Sequence, residues 1–206
     1  MQRSSFFLLV MVFSIWGCKD QDRLPFLGTH DVIQGDTVYY TIPKFYGLRD
    51  QEGKGFSFDQ IKGKVFVAEF FFSRCKSICP IMTSQMARIQ DEIKSKQWQG
   101  KVALLSHTVD PMYDQPEVLK SYAKTHGADF SIWTFVNADS TVYSLAQQGY
   151  LLSAFPSVDA DGGFFHTDQL TLIDKNFHIR GYYDGTSTKA VDELIKDLSV
   201  LMSEED

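Results

Sequence analysis

Long apolar runs, basic clusters and cysteines are all scarce in this chain of 206 residues. Its apolar stretch near the start, Phe6 to Trp16, falls short of the roughly 20 residues a helix needs to cross a bilayer. Lysine and arginine are never bunched, and the formal net charge is −6. That excludes a surface built to neutralise phosphates, so no nucleic-acid partner is expected. Three cysteines are too few for a disulfide framework. No internal repeat or low-complexity tract is present, which excludes solenoids and fibres. What remains, with 44% hydrophobic and 22% charged residues, is the composition of an ordinary globular protein. It suffices for one well-buried domain rather than two.

The first residues stand apart from the fold. Met1-Gln2-Arg3 supplies a short positive region, and the apolar run after it has the length of a signal-peptide core. It ends at Gly17-Cys18, which resembles a lipobox, with Ile15 acceptable at the third position upstream and Trp16 bulkier than usual. The expected division is a leader over 1–17, an acylated Cys18, a polar tether over 19–36 and a domain over 37–206. The alternative is an ordinary export signal that merely ends near Cys18. Either reading places the domain outside the cytoplasm, facing the periplasm. The lipid would hold it at a membrane. There the remaining pair, Cys75 and Cys79, can be a structural disulfide, a redox couple or a metal site.

Along the domain, Tyr39-Tyr40-Thr41-Ile42 and Phe45 to Leu48 read as extended structure. A turn at Asp50-Gln51-Glu52-Gly53 and a return strand at Gly55 to Phe58 follow, an N-terminal hairpin extension. Val65 to Phe72 is an almost unbroken apolar run, the signature of a central strand buried on both faces. Pro80 opens a helix in which Met82, Met86, Ile89 and Ile93 recur at helical spacing; they read as core rather than as ligands. Val102 to Ser106 and Ile132 to Val136 are further strands. Pro116 to His126, ended by Gly127, and Ser140 to Gln148 are helices. Leu170 to Ile173 and Ile179 to Tyr183 form a hairpin around Asp174-Lys175-Asn176, and Thr188 to Met202 is a closing amphipathic helix. Strands alternating with helices imply an α/β fold with a parallel-containing, mixed sheet flanked by helices. A cysteine pair at the first strand-to-helix junction and a late hairpin make that layout thioredoxin-like.

Cys75 and Cys79 stand as Cys-x-x-x-Cys-Pro, with Cys79 at a helix N-terminus, where the thiolate is favoured. Two neighbouring thiolates either close a disulfide or hold a soft metal ion. Cu(I) prefers thiolate sulfur, and Cu(II) accepts sulfur with imidazole nitrogen. Among the histidines, His30 lies in the tether, His126 ends a helix and His178 sits in a hairpin turn. His107 and His166 are the two near the ligand-binding end of the sheet. Asp110-Pro111 and Asp114 read as turn and helix-start residues, the alternative for Asp110 being support of the metal ligands. Asp159-Ala160-Asp161-Gly162-Gly163 is either a hinge for His166 or a plain connector.

The stretch Phe72-Ser73-Arg74-Cys75-Lys76-Ser77-Ile78-Cys79-Pro80 resembles the metal-binding motif of the Sco/SenC family, copper proteins that help assemble cytochrome c oxidase. Thr108-Val109-Asp110-Pro111, with Asp114 to Leu119, resembles the family's second strand and following helix. His166 stands where the family has its third ligand. The resemblance runs over roughly residues 40–203. It implies copper bound by Cys75, Cys79 and His166, and delivery to the dinuclear copper site of oxidase subunit II. Other copper chaperones or thiol reductases would be further partners. One departure is visible. Phe165 replaces an acidic neighbour of the histidine, leaving Asp168 or a backbone carbonyl to orient the imidazole. No proline lies between Pro156 and the following strand, which weakens a generic oxidoreductase reading. The competing role for the same cysteines is a thiol-disulfide reductase that keeps the acceptor's cysteines reduced.

Overall fold

The computed structural model describes residues 23–205, so the leader, Cys18 and the first residues of the expected tether lie outside it. In chain order the strands begin with β1 (His30–Ile33), β2 (Asp36–Tyr39), β3 (Leu48–Asp50), β4 (Gly55–Phe56) and β5 (Val65–Phe71). Helix α1 (Cys79–Ser95), β6 (Val102–Thr108), α2 (Pro116–Thr125) and β7 (Trp133–Asn137) follow. After a single helical turn, α3 (Val142–Ser144), come β8 (Ala154–Pro156), β9 (Phe164–His166), β10 (Gln169–Ile173) and β11 (Ile179–Asp184). Helix α4 (Thr188–Glu205) closes the chain.

Seven of these strands make one mixed sheet in the order β11-β10-β5-β6-β7-β3-β4. The parallel pairs β5–β6 and β6–β7 need crossovers, and α1 and α2 supply them. β5 is buried along its whole length, as a strand covered on both faces must be. One face is covered by α1, α2 and α4. Thr83 meets Tyr122 between α1 and α2, and Arg88 meets Asp192 between α1 and α4. The core stripe of α1 is the expected one, with Met82, Met86, Ile89 and Ile93 fully buried. The other face is an aromatic layer in which Phe58, Phe66, Phe70, His107, Tyr150 and Phe177 pack ring against ring.

This is the thioredoxin-like α/β architecture expected from the sequence, but four segments differ from the sequence reading. The helix expected over Ser140 to Gln148 is a 3-10 turn (Asp139–Thr141), the single turn α3 and a π turn (Leu145–Gly149). The segment read as a plain connector or hinge is the tip of a small separate hairpin, β8–β9. A second separate hairpin, β1–β2, begins inside the stretch read as tether, and all its residues are exposed. The expected extension hairpin survives only as the short pair β3–β4, which adds to the edge of the main sheet beside β7. No helix among the described residues is long and apolar enough to cross a membrane.

Candidate metal centre

The centre forms where β5 ends. Parallel strands that feed right-handed crossovers leave their C-terminal ends free for a site, and the loop from Phe72 to Ile78 occupies that position. Two carboxylates from the segment after β6 brace it. Asp114 accepts hydrogen bonds from the Ser73 backbone N–H at 3.0 Å and from the hydroxyls of Ser73 and Thr108. Asp110 takes the guanidinium of Arg74, which also lies over the ring of Tyr113 at 4.3 Å. Asp110 and Asp114 therefore do more than start a helix: they fix the conformation of the cysteine loop. Asn137 of β7 holds their own segment by donating to the carbonyls of Pro111 and Asp114 at 2.9 and 3.0 Å.

The two cysteines are free thiols in unlike positions. Cys79 is the first residue of α1 and fully buried, while Cys75 lies in the loop and retains 7% exposure. The helix N-terminus favours an anion, as the sequence implies, but at the other cysteine. The backbone N–H of Cys79 points at Cys75 Sγ, 3.4 Å away. The Cys75 thiol is lowered to about 3, first by the side-chain hydrogen bond from Cys79, with the Cys79 N–H and Ser77 adding to it against desolvation. Cys79 is pushed up, because it is the donor to Cys75 and because it is buried. Within the pair the thiolate is therefore favoured at the accessible position and the thiol behind it.

His166 ends β9 and completes the cluster. Its Nε2 lies 3.3 Å from Cys79 Sγ. Its Nδ1 lies 2.9 Å from the backbone carbonyl of Thr167. A carbonyl oxygen can only accept, so Nδ1 carries the proton and Nε2 keeps its lone pair toward the sulfurs. The partner that Phe165 cannot provide is therefore a backbone carbonyl rather than Asp168, which instead binds Gln169. The hairpin is held against the loop by Phe72, whose ring meets Phe164 and stands edge-on to His166 at 5.8 Å. Gly162, at φ +68°, allows this approach, since a Cβ there would lie 2.5 Å from the Phe72 ring.

Cys75 Sγ, Cys79 Sγ and the imidazole nitrogen all lie within 4.8 Å of one another. Two donors bound to a common ion at about 2.3 Å stand no more than about 4.6 Å apart, so shifts of a few tenths of an ångström suffice to close the set. The other histidines are placed elsewhere. His107 is buried in the aromatic layer, bonded to the Tyr150 hydroxyl at 3.0 Å and lowered to about 3 by desolvation. His178 pairs with Asp174, His30 is exposed in β1, and His126 follows the end of α2. Cys18 lies outside the described residues. The sequence did not reveal Glu69, a fully buried carboxyl beneath α1. It accepts from Ser106 at 2.7 Å, while its second oxygen has no partner among the described residues. Its one sequence signal is a charge inside an otherwise apolar strand.

Comparison with known proteins places this geometry. The crystal structure of a SCO1/SenC family lipoprotein from Bacillus anthracis superposes with a TM-score of 0.72 at 28% identity, covering 79% of this chain and 95% of that one. BsSco, described as a member of the Sco family of cytochrome c oxidase assembly proteins with a disulfide switch, gives 0.68 at 26% identity over 79% and 93% of the two chains. A protein of Stutzerimonas stutzeri named for copper binding is 26% identical over 139 residues, covering 66% of this chain and 65% of its own. The SCO1/SenC family profile matches residues 37–203, nearly the whole described domain, and the chain belongs to that family.

Proposed function

We propose that this protein is an exported copper carrier that takes up copper on Cys75, Cys79 and His166 and passes it on during assembly of cytochrome c oxidase. The observation that carries the reading is the convergence of two sulfurs and an imidazole nitrogen with its lone pair already aimed at them. That donor set suits copper in both oxidation states: the thiolates satisfy Cu(I), and the nitrogen adds the ligand that Cu(II) prefers. Three donors leave a coordination position open, which suits cargo better than a closed structural site. Copper binding in the Stutzerimonas relative and oxidase assembly in the Sco family support the same reading.

Cargo would leave by ligand exchange. The acceptor, proposed to be the dinuclear copper site of oxidase subunit II, first meets the more exposed Cys75 and last the buried Cys79. As each sulfur is released it regains its proton or its hydrogen bond, and Cys79 returns to the thiol form that burial favours. The leader over 1–17 and an acylated Cys18 would hold the domain at a membrane facing the periplasm; the lipoprotein relative from Bacillus anthracis supports the lipid anchor.

The inequality of the thiols favours a second activity on the same residues. A depressed, accessible thiolate is the attacking member of a thiol-disulfide pair, and a buried thiol is the resolving one. Cys75 would attack an acceptor disulfide. Cys79 would then lose its proton and displace the acceptor from Cys75, leaving two acceptor thiols and a Cys75–Cys79 disulfide.

Titration of the reduced domain with Cu(I) and Cu(II) separates the two. One equivalent bound, with a thiolate-to-Cu(II) absorption band that His166→Ala removes or shifts while Cu(I) binding persists, supports the carrier. No stoichiometric binding, with the two cysteines oxidised instead, moves the function to the reductase. Equal loss of both oxidation states in His166→Ala contradicts the proposed division of labour.

A further inference from the structure

The end of the sheet opposite the metal centre is built to hold the incoming N-terminal chain. β10 runs antiparallel to β5 with Ile173 beside Phe66, so the β10–β11 turn lies where β5 begins. At about 3.3 Å per residue, β5 puts roughly 20 Å between that turn and the cysteine loop. Arg180, 4% exposed, sits beside the turn. Its guanidinium donates to the carbonyls of Leu24 and Pro25 at 2.6 and 3.1 Å, and to Glu204 and Asp174 at 2.8 and 3.2 Å. It also lies 4.3 Å from the ring of Phe26. The backbone N–H of Leu24 donates to Glu204, and that of Leu27 to the carbonyl of Ile179. A buried, fully engaged guanidinium is a fixed clamp, so the chain enters the domain at this end.

Exposed large apolar side chains gather at the same place. Phe26, Val32, Ile33, Val38 and Tyr39 are all exposed. Tyr39 stacks on Phe26, which meets His178 of the turn, so hairpin β1–β2 springs from the clamped end. The hairpin carries Asp31 and Asp36 and no lysine or arginine, so any surface it meets is met through apolar contact rather than by attraction to anionic groups. Residues 18–23 span at most about 20 Å when extended.

We infer that the clamped end, with hairpin β1–β2, rests on the bilayer that anchors Cys18, so that Cys75 and His166 face away from the lipid. The inference rests on the acylation of Cys18 proposed above. Its consequence concerns the partner: an acceptor must present its ligands roughly 20 Å or more above the membrane, on a domain that stands off the bilayer.

The test uses the full acylated chain in phosphatidylcholine vesicles with brominated acyl chains, which quench tryptophan only within the lipid. Ile33→Trp reports the hairpin and Val158→Trp, at the fully exposed tip of β8–β9, reports the metal end. The unsubstituted chain supplies the background of Trp98 and Trp133. The expected result is loss of about half of the emission added by Ile33→Trp, with that of Val158→Trp unchanged. Protein that floats with the vesicles yet shows no quenching of Ile33→Trp, or equal quenching of both, overturns the orientation and leaves the anchor standing. Blue-shifted emission from Ile33→Trp before lipid is added assigns the hairpin to a second copy and also overturns it. Protein that fails to float overturns the acylation, and the orientation with it.

Discussion

His166 and His107 are both buried, both stand toward the C-terminal end of the sheet, and only one faces the thiols. His166 arrives on β9, outside the main sheet, with Nδ1 tied to a backbone carbonyl and Nε2 left open. His107 is part of β6 and points into the aromatic layer, against Phe70 and Tyr150. Its Nδ1 has no partner among the described residues, and burial keeps the ring neutral. The difference teaches that burial does not make a ligand. A ligating imidazole needs one nitrogen satisfied and the other left bare toward its co-ligands, and only the face of the sheet decides whether co-ligands are there.

The sharpest break of this comparison is in copper affinity. Cys79→Ser should weaken Cu(I) binding by more than about 100-fold, beyond the usual cost of losing an outer-shell partner. His107→Phe should leave affinity unchanged in the same competition titration. It should instead lower stability by about 1–3 kcal/mol in urea unfolding, because the Tyr150 hydroxyl is left unpaired. Copper loss in His107→Phe comparable to that of Cys79→Ser would erase the distinction between the two histidines.

The helix-covered face carries its own buried ionisable group, and its effect is on stability. Desolvation raises Glu69 to about 8, with only the Ser106 hydrogen bond opposing it. A carboxyl raised on folding is neutral in the native state while the unfolded chain ionises above about pH 4.5. Its stability is therefore fully present below that pH, is lost as pH rises toward 8, and changes no further above it. Glu69→Gln should flatten this decline and gain on the order of 2–4 kcal/mol at pH 7. Urea melts at pH 5 and pH 8 measure it, and an unchanged slope in Glu69→Gln would place the pH dependence elsewhere.

The smallest effect expected is at Gly162. An alanine there must push the hairpin off the Phe72 ring, displacing His166 while leaving both thiols in place. Cu(II) affinity should fall about tenfold with Cu(I) nearly unaffected, and dialysis against a chelator in each oxidation state reads the ratio. A ratio unchanged from that of the unsubstituted protein in Gly162→Ala would show that the hairpin seats without Phe72.

Much of the fold was legible because its core elements are strongly patterned. β5 shows an almost unbroken apolar run, α1 a helical stripe opened by Pro80, and the β10–β11 hairpin a turn sequence around Asp174. The candidate site was legible in its donors: Cys-x-x-x-Cys-Pro at a strand-to-helix junction, and a histidine upstream of the late hairpin, which the fold brings together. The two small hairpins were not. β8 and β9 are three residues each and owe their place to contacts with Phe72 rather than to any alternation of their own. β1–β2 is exposed on every residue, so no hydrophobic pattern marks it. The segment after Asp139 has helical propensity, yet it is broken into three kinds of turn so that Tyr150 can reach His107.

Sequence alone determined the candidate donors and the main elements that carry them, since local periodicity and donor type are properties of short stretches. Only the tertiary structure decided which thiol is ionised, which nitrogen of His166 is free and which histidine is kept from the thiols. Those choices depend on where one N–H, one carbonyl and one sheet face end up, and such groups are brought together from segments as distant as Cys79 and His166. The sequence states the donors, and the packing assigns their protons.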